Sequence, residues 1–294
     1  MEKREENKKL NLKKIILAIA LIAFSVLFII NIGIYLKNRE TKKEYEKLAE
    51  RVTQNVGTDS EADAEAPYVS PIDFASLKMD NPDTIGWIRV PDTNIDYPIV
   101  QGTDNDFYLK HDFYGEKNVA GAIYLDFESE KDFISRNNIL YGHNMKNGSM
   151  FKDVVRYKDP EYFKSHQFFS IYTPSREIHL KAVACYYGAA DDNVAVRKTR
   201  FKSQENFDEW VKAILAPCSY KEDVLYPARN MYSLVTCSYE VNNARTFLFA
   251  VEVDEDGNEL GMDNEYARLM EELVIRQVKR LMETQEQTEE QTDK

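Results

Sequence analysis

The sequence predicts a mainly β domain: an eight-stranded closed or nearly closed barrel with a few helices. A transmembrane helix precedes this domain and a further helix follows it. Eight short runs rich in β-branched and aromatic residues follow one another, and most are separated by clusters of Pro, Gly, Asn or Asp. This pattern is typical of barrels and does not fit alternating strands and helices. A long uncharged stretch lies before the runs, and an amphipathic segment lies after them.

The N-terminal apolar stretch, Ile15–Leu36, contains 22 residues without a charge. At about 1.5 Å per residue it is long enough to cross a hydrocarbon layer of roughly 30 Å. A cleaved signal peptide would have an apolar region of about 7–15 residues, so we predict an uncleaved anchor after a short cytoplasmic N-terminus at 1–14. Residues 1–14 and 37–51 each carry six Lys or Arg, so charge alone leaves the orientation open.

Residues 37–66 are predicted to form a stalk. Their apolar residues Tyr45, Leu48, Val52 and Val56 make a helical stripe too narrow for a globular core. Residues 57–66 are acidic and contain no large apolar side chain, which favours a flexible tether. The globular domain is then expected at 67–259, with a helix and a disordered tail at 260–294.

Within the domain, two helices are predicted among the strands. The first covers Asp73–Met79, and the second covers Ser203–Ala216 with Ser203 as its N-cap and Pro217 as its end. The eight predicted strands are Ile85–Val90, Ile95–Val100, Gly121–Leu125, Asn138–Tyr141, Phe168–Tyr172, Ile178–Tyr187, Ser233–Cys237 and Thr246–Val253.

Composition excludes several classes of function. With 50 acidic and 38 basic residues the net charge is −12, so no nucleic-acid partner is expected. The three cysteines have no zinc or C-x-x-C spacing, and no histidine pair has the H-x-x-x-H spacing. We therefore predict no metal and no cofactor, and a G-x-S-x-G serine elbow is also missing. At least one thiol is unpaired, and the sequence leaves open whether Cys185 and Cys218 form a disulfide.

Candidate catalytic residues lie at strand ends. Cys237 ends an apolar strand, and Arg245 follows the next loop, so an antiparallel hairpin would place both at one end of the sheet. A guanidinium there can lower the pKa of a thiol and donate hydrogen bonds to a developing oxyanion. His143 follows another strand through Gly142 and supplies a titratable imidazole. The alternative is a structural cysteine beside a loop arginine, while the other three histidines are expected on the surface or in packing contacts.

These residues resemble the sortases, and in particular class B. The resemblance rests on the run NNILYGHNMKNGSMF at 137–151, on the strand SLVTC and on the arginine eight residues later. The segments NPDTIGWIRVPDTNIDYPIVQ and DNDFYLKHDFYG, and the helix inserted before the cysteine strand, are similar to class B. Ser233 stands where the family's T-L-x-T-C pattern has Thr.

The resemblance implies a membrane-anchored cysteine transpeptidase of Gram-positive bacteria, with the domain outside the cell. Cys237 would attack a carbonyl in the sorting signal of an exported surface protein and form a thioester. His143 would act as general acid and then base, and Arg245 would hold the substrate and stabilise the oxyanion. The acceptor would be an amino group of a peptidoglycan precursor.

Two alternatives remain open: a pilin-polymerising enzyme that uses a pilin lysine, and a membrane-anchored binding module without catalysis.

The segment after Gly261 is predicted to form an amphipathic helix with Asp263 as its cap. Its apolar face consists of Tyr266, Leu269, Met270, Leu273, Val274, Val278, Leu281 and Met282. Such a face is expected to dock on the barrel or on a second copy. On the barrel, the helix would be either a structural brace or a lid over the site.

Overall fold

The computed structural model describes residues 2–54, 68–189, 196–238, 244–272 and 275. The chain divides into two compact units, Met1–Leu48 and Ala49–Lys294. The first consists of most of one long helix, α1 (Glu2–Gln54), which contains the predicted anchor. The part of this helix at Lys13–Thr53 contains a stretch that is apolar and long enough to cross a membrane, by length and composition.

The second unit contains the predicted barrel. Eight strands close in the order β5-β1-β2-β3-β4-β8-β9-β6, because β6 pairs back onto β5. A two-residue strand, β7, pairs antiparallel with Ala184 and Cys185 of β6. The strands of the described residues are β1 (Thr84–Arg89), β2 (Asp96–Val100), β3 (Ile123–Leu125), β4 (Asn137–Tyr141), β5 (Phe168–Tyr172), β6 (Glu177–Ala189), β7 (Tyr220–Lys221), β8 (Met231–Ser238) and β9 (Ala244–Val253). The predicted eight-stranded architecture is therefore confirmed.

Both helices predicted within the domain are present. They are α2 (Phe74–Asp80) and α5 (Gln204–Leu215), and the hydroxyl of Ser203 accepts a hydrogen bond from the backbone N of Asn206, as an N-cap should. The sequence analysis missed two short helices, α3 (Phe107–Lys110) and α4 (Pro160–Ser165), and the 3₁₀ turn Asp153–Lys158. These are one or two turns long, too short for a periodic pattern to register.

Helix α5 covers the outside of the barrel next to β8 and β9. Its apolar face, the side chains of Phe207, Trp210, Val211, Ile214 and Leu215, is buried in one cluster with residues of β4, β6, β8 and β9. Burying such side chains contributes about 1.5–3 kcal/mol each. The helix therefore supports from behind the strands that form one wall of the cleft described below.

Two strand pairings place the residues of interest. Strand β4 runs parallel to β8 with Tyr141 opposite Val235. Strand β8 runs antiparallel to β9 with Cys237 opposite Arg245. The carboxyl ends of β4 and β8 and the amino end of β9 consequently meet at one edge of the barrel.

The middle of the predicted stalk takes part in the second unit, although its apolar stripe was expected to be too narrow for a globular core. Val52 is fully buried, and its carbonyl oxygen accepts a hydrogen bond of 3.1 Å from the backbone N of Asp73. Arg51 pairs with Asp80. A narrow apolar stripe is enough when it packs on a surface that other elements have already formed. The predicted tether at 57–66 lies outside the described residues.

A C-terminal helix, α6, covers residues 264–272. The carboxylate of Asp263 accepts a hydrogen bond of 2.7 Å from the backbone N of Tyr266, so Asp263 caps the helix as predicted. Tyr266 and Met270 are buried in a cluster with Ile134, which precedes β4. The described part of α6 therefore packs near the start of β4. The predicted apolar positions Leu273, Val274, Val278, Leu281 and Met282 lie outside the described residues.

Candidate active site

Three candidate residues meet at one edge of the barrel. The β4–β8 ladder continues one residue past Tyr141, because the backbone N of Gly142 donates to the carbonyl of Val235 at 3.1 Å. Tyr141 and Val235 are the last register pair of these two parallel strands. His143 lies two residues after Tyr141, and Cys237 lies two residues after Val235. Arg245 is the register partner of Cys237 on the other side. Residues that are 94 and 8 positions apart in sequence thus reach the same edge of the barrel.

His143 is held in place by a hydrogen bond from its ring and by one from the following loop. Its Nε2 lies 2.8 Å from the carbonyl oxygen of Leu109. A carbonyl only accepts, so this contact assigns a hydrogen to Nε2. The carbonyl of His143 accepts from the backbone N of Phe151 at 2.9 Å. The imidazole is therefore oriented before any ligand binds.

Gly142 allows the chain to pass between two core side chains just before His143. A Cβ at this position would lie 2.5 Å from Cδ1 of Ile123 and 2.7 Å from the ring of Phe151. Gly121 approaches from the other side with φ of +58°, and a Cβ there would lie 3.1 Å from Cδ2 of His143. Both positions are thus restricted to glycine by close approach or by backbone conformation.

A cleft of about 180 Å³ lies beside His143 and Arg245. Its walls come from the loop before α3, from α3, β3, β4, β8 and β9, and from the segments after β4 and β6. The lining residues are Asn105, Asp106, Leu109, Tyr124, Tyr141, Gly142, His143, Arg197, Val235, Thr236 and Arg245. The cleft combines apolar and aromatic surface with a few oriented polar groups, which is typical of a ligand site.

Tyr141 carries most of the polar order in the cleft wall. Its hydroxyl donates to Oδ2 of Asp126 at 2.9 Å and accepts from Nε of Arg197 at 3.2 Å. The Arg197 guanidinium also lies over the Tyr141 ring, 5.7 Å from its centroid. Burial, and then the charge of Asp126, raises the pKa of Tyr141, so its hydroxyl stays protonated and acts as a donor. The interaction with Tyr141 in turn raises the pKa of Arg197.

Sequence and structure comparisons find similar known proteins. The chain is 31% identical over 121 residues to a curated protein, Sortase B of Staphylococcus aureus. The match covers 41% of the chain, which spans 46% of that relative's length. A crystal structure of Clostridium perfringens sortase B is 34% identical, with a TM-score of 0.59, and its match covers 62% of this chain and 100% of the other. The chain belongs to the class B sortases.

A second solved structure widens the comparison. A Staphylococcus aureus sortase B–substrate complex has a TM-score of 0.66 and 25% identity, covering 75% of this chain and 99% of that one. No family model matches the chain. The likeness to the two solved structures thus extends over 62% and 75% of this class B sortase.

The other two cysteines of this class B sortase are free and buried. Burial raises the pKa of both Cys185 and Cys218 to about 12. The possible disulfide left open by the sequence is therefore not formed in this structure. A protonated, enclosed thiol is a poor nucleophile, so neither resembles a reactive cysteine.

The remaining histidines make local contacts, as predicted. His111 stacks on Phe107, and His166 stacks on Tyr162 at the end of α4. His179 lies 3.4 Å from a carboxylate oxygen of Glu177. Within the described part of the chain, no group of three or more His, Cys, Asp or Glu could hold a metal ion.

Sequence reasoning missed four polar residues at or behind the cleft: Asn105, Asp126, Tyr141 and Arg197. Asn105 lies in a segment that supported the resemblance, and Tyr141 lies two positions before His143 in the strand run. Neither had a pattern of its own that marked it as part of a site. Asp126 is brought to Tyr141 by the pairing of β3 with β4, and Arg197 reaches it from the segment after β6, and only the three-dimensional structure reveals these contacts.

Proposed function

We propose that this chain is a cysteine transpeptidase that cleaves a sorting signal and transfers the acyl group to an amine. The observation that carries the proposal is the register of β4, β8 and β9, which supports a common site for His143, Cys237 and Arg245 beside the cleft. Membership of the class B sortases supports the same chemistry. The solved structure of the Staphylococcus aureus relative is a sortase B–substrate complex, which supports a peptide-binding role here by similarity.

The reaction is proposed in two balanced steps. The Cys237 thiolate attacks the peptide carbonyl, a C–S bond forms, and the C–N bond breaks after His143 gives its proton to the departing amine. The acceptor amine then attacks the thioester and loses a proton to His143, and the C–S bond breaks to return the thiolate. Arg245 donates hydrogen bonds to the oxyanion in each step.

The acceptor that we propose is an amino group of a peptidoglycan precursor. A thioester reacts readily with an amine. An acceptor amine that takes the place of the released peptide fragment in the cleft also excludes water from the acyl group. Sorting-signal-bearing surface proteins are then the acyl donors.

The experiment uses the full-length protein in detergent and a panel of sorting peptides. Mass spectrometry should find an acyl adduct on Cys237 that disappears when an amine acceptor is added, with the appearance of a new amide product. The Cys237→Ala protein should form neither. If the folded protein binds peptides but forms no adduct with any of them, it is a non-catalytic binding module and the proposal is wrong.

The cellular location follows from the same proposal. We infer that α1 anchors the protein in the cell membrane and that residues 67–259, the catalytic domain, lie outside, where surface proteins arrive. Full-length protein should resist carbonate extraction, and protease should remove the domain from intact protoplasts. Recovery in the soluble fraction with a new N-terminus beyond Ser25 would contradict the anchor.

A further inference from the structure

A buried carboxylate lies directly behind the wall of the cleft. Asp126 is 3% exposed. Its Oδ2 accepts hydrogen bonds from the hydroxyl of Tyr141 and from Nδ2 of Asn105, both at 2.9 Å. Its Oδ1 accepts from the backbone N of Glu128 at 3.0 Å. Tyr141 and Asn105 both line the cleft, and they come from different elements. One carboxylate therefore ties two separate parts of the wall together.

The amide of Asn105 is fixed at both ends. Its Nδ2 donates to Asp126, and its Oδ1 accepts from the backbone N of Phe127 at 3.1 Å. Each amide group keeps a further hydrogen or lone pair for another partner. Because the amide cannot turn over without losing both bonds, Asn105 presents one set orientation to the cleft.

The same carboxylate reaches a third cleft residue through Tyr141. The Tyr141 hydroxyl donates its hydrogen to Asp126, and its oxygen accepts a hydrogen bond from Nε of Arg197. The other guanidinium nitrogens point away from this bond in a planar fork. Removal of the Asp126 charge would free the Tyr141 hydroxyl to turn and weaken the position of Arg197.

We propose that Asp126 is a positioning residue for the acyl-donor peptide, acting through Asn105, Tyr141 and Arg197 on peptide binding. The inference rests on the proposed function. His143 is held separately by the Leu109 carbonyl, so a change at Asp126 acts on binding and leaves the acid–base group in place. Its signature is a rise in KM with kcat largely retained.

The chain contains a closely matched control. Glu252 on β9 is 5% exposed and, like Asp126, accepts hydrogen bonds from an Asn and a Tyr, and it pairs in addition with an Arg. These partners are Nδ2 of Asn230 at 3.1 Å, the hydroxyl of Tyr232 at 3.5 Å and Nη1 of Arg176 at 2.7 Å. Glu252 lies seven residues from Arg245 along the same strand, roughly 23 Å at about 3.3 Å per residue. It has the same chemistry at the other end of the barrel.

The experiment compares Asp126→Asn with Glu252→Gln in the full-length protein. The probe is the peptide of the panel that the parent protein turns over best, carrying a fluorophore. Its Kd is measured by anisotropy in the Cys237→Ala background, and kcat and KM are measured with Cys237 present. We expect Asp126→Asn to weaken peptide binding about tenfold, the typical cost of losing a hydrogen bond to a charged group. Glu252→Gln should lower the melting temperature without changing Kd.

Tyr141→Phe provides a second route if Asp126→Asn fails to fold. It keeps the ring and removes the hydroxyl, so it should weaken binding by a similar factor, and the double variant should be little weaker than either single variant. An unchanged Kd in a folded Asp126→Asn or Tyr141→Phe protein would overturn the inference, as would an equal loss in Glu252→Gln. Loss of the proposed function is distinct, because the parent would then form no acyl adduct.

Discussion

Arginine and lysine carry the same charge, but only the planar guanidinium offers two parallel donors to one oxygen-bearing group. Arg245 lies at the second position of β9, opposite Cys237, so strand pairing determines where its backbone lies. At the scale of single residues, geometry of this kind should matter more to the proposed reaction than charge alone.

Arg245→Lys should lower kcat/KM for peptide transfer by about 10²–10³, equivalent to about 2.7–4 kcal/mol of lost oxyanion stabilisation. Steady-state kinetics with the best peptide of the panel measures this. Arg156→Lys is the control, because the exposed Arg156 side chain pairs with the buried Asp153 and does not line the cleft, so its replacement should leave activity unchanged. Near-parental activity of Arg245→Lys would mean that Arg245 acts through charge alone.

The cysteines should differ in reactivity at pH 8. With the pKa of Cys185 and Cys218 raised from an ordinary value of 9.0 to about 12, each thiolate fraction falls by about a thousandfold. Iodoacetamide should therefore modify Cys237 alone in the native protein and all three thiols after unfolding. Peptide mass mapping measures this, and Cys237→Ala is the control.

The same shifts set a direction for stability. The folded pKa lies above the unfolded one, so the contribution of both thiols is complete below about pH 9 and is lost as the pH rises toward about 12. Rapid alkylation of either buried cysteine in the native state would contradict their burial.

At the scale of elements, the sequence predicted nearly every strand of the barrel to within two residues, because each is a compact apolar run with turn residues at its ends. It could not predict the parallel pairing of β4 with β8, since that contact joins segments about 90 residues apart and leaves no local pattern. His143 and Cys237 were recognisable as candidates, whereas Asp126 was visible only once β3 and β4 were paired.

Gly142→Ala tests the close approach that places His143. The added methyl would overlap Ile123 and Phe151, and overpacking of this kind costs about 1–3 kcal/mol. We expect a lower melting temperature and a loss of peptide turnover, because the strand must shift just before the imidazole. Calorimetry and kinetics measure the two effects.

Gly102→Ala is the matched control for this substitution. A Cβ there would lie 3.4 Å from the ring of Tyr108, an ordinary contact distance, so little change is expected. Equal behaviour of the two variants would show that the approach at Gly142 does not control the site.

At the scale of the whole molecule, α6 closes a cluster at the far end of β4 from His143. Tyr266 and Met270 are buried with Ile134, and the guanidinium of Arg229 lies 4.3 Å from the Tyr266 ring centroid. This placement favours the brace over the lid for the described turns of the helix. The sequence could not decide between them, since an amphipathic face shows that a helix docks but not where.

Truncation after Gly261 should therefore lower the melting temperature and leave turnover unchanged. Each fully buried side chain of this size contributes about 1.5–3 kcal/mol to the free energy of unfolding. Truncation after Glu272, which keeps Tyr266 and Met270, is the control and should melt at a higher temperature than the shorter protein. Higher turnover with unchanged melting would instead indicate a lid.

The closure of the barrel has a consequence for when the enzyme becomes competent during synthesis. A chain emerges N-terminus first, so His143 leaves the ribosome long before β8 and β9. Strand β4 has no partner on one side until β8 arrives, and the barrel closes only when β9 fills the space between β8 and β6. The proposed acid, nucleophile and oxyanion donor thus lie on strands that can pair only after β8 and β9 have been synthesised, and a shorter chain carries an incomplete site.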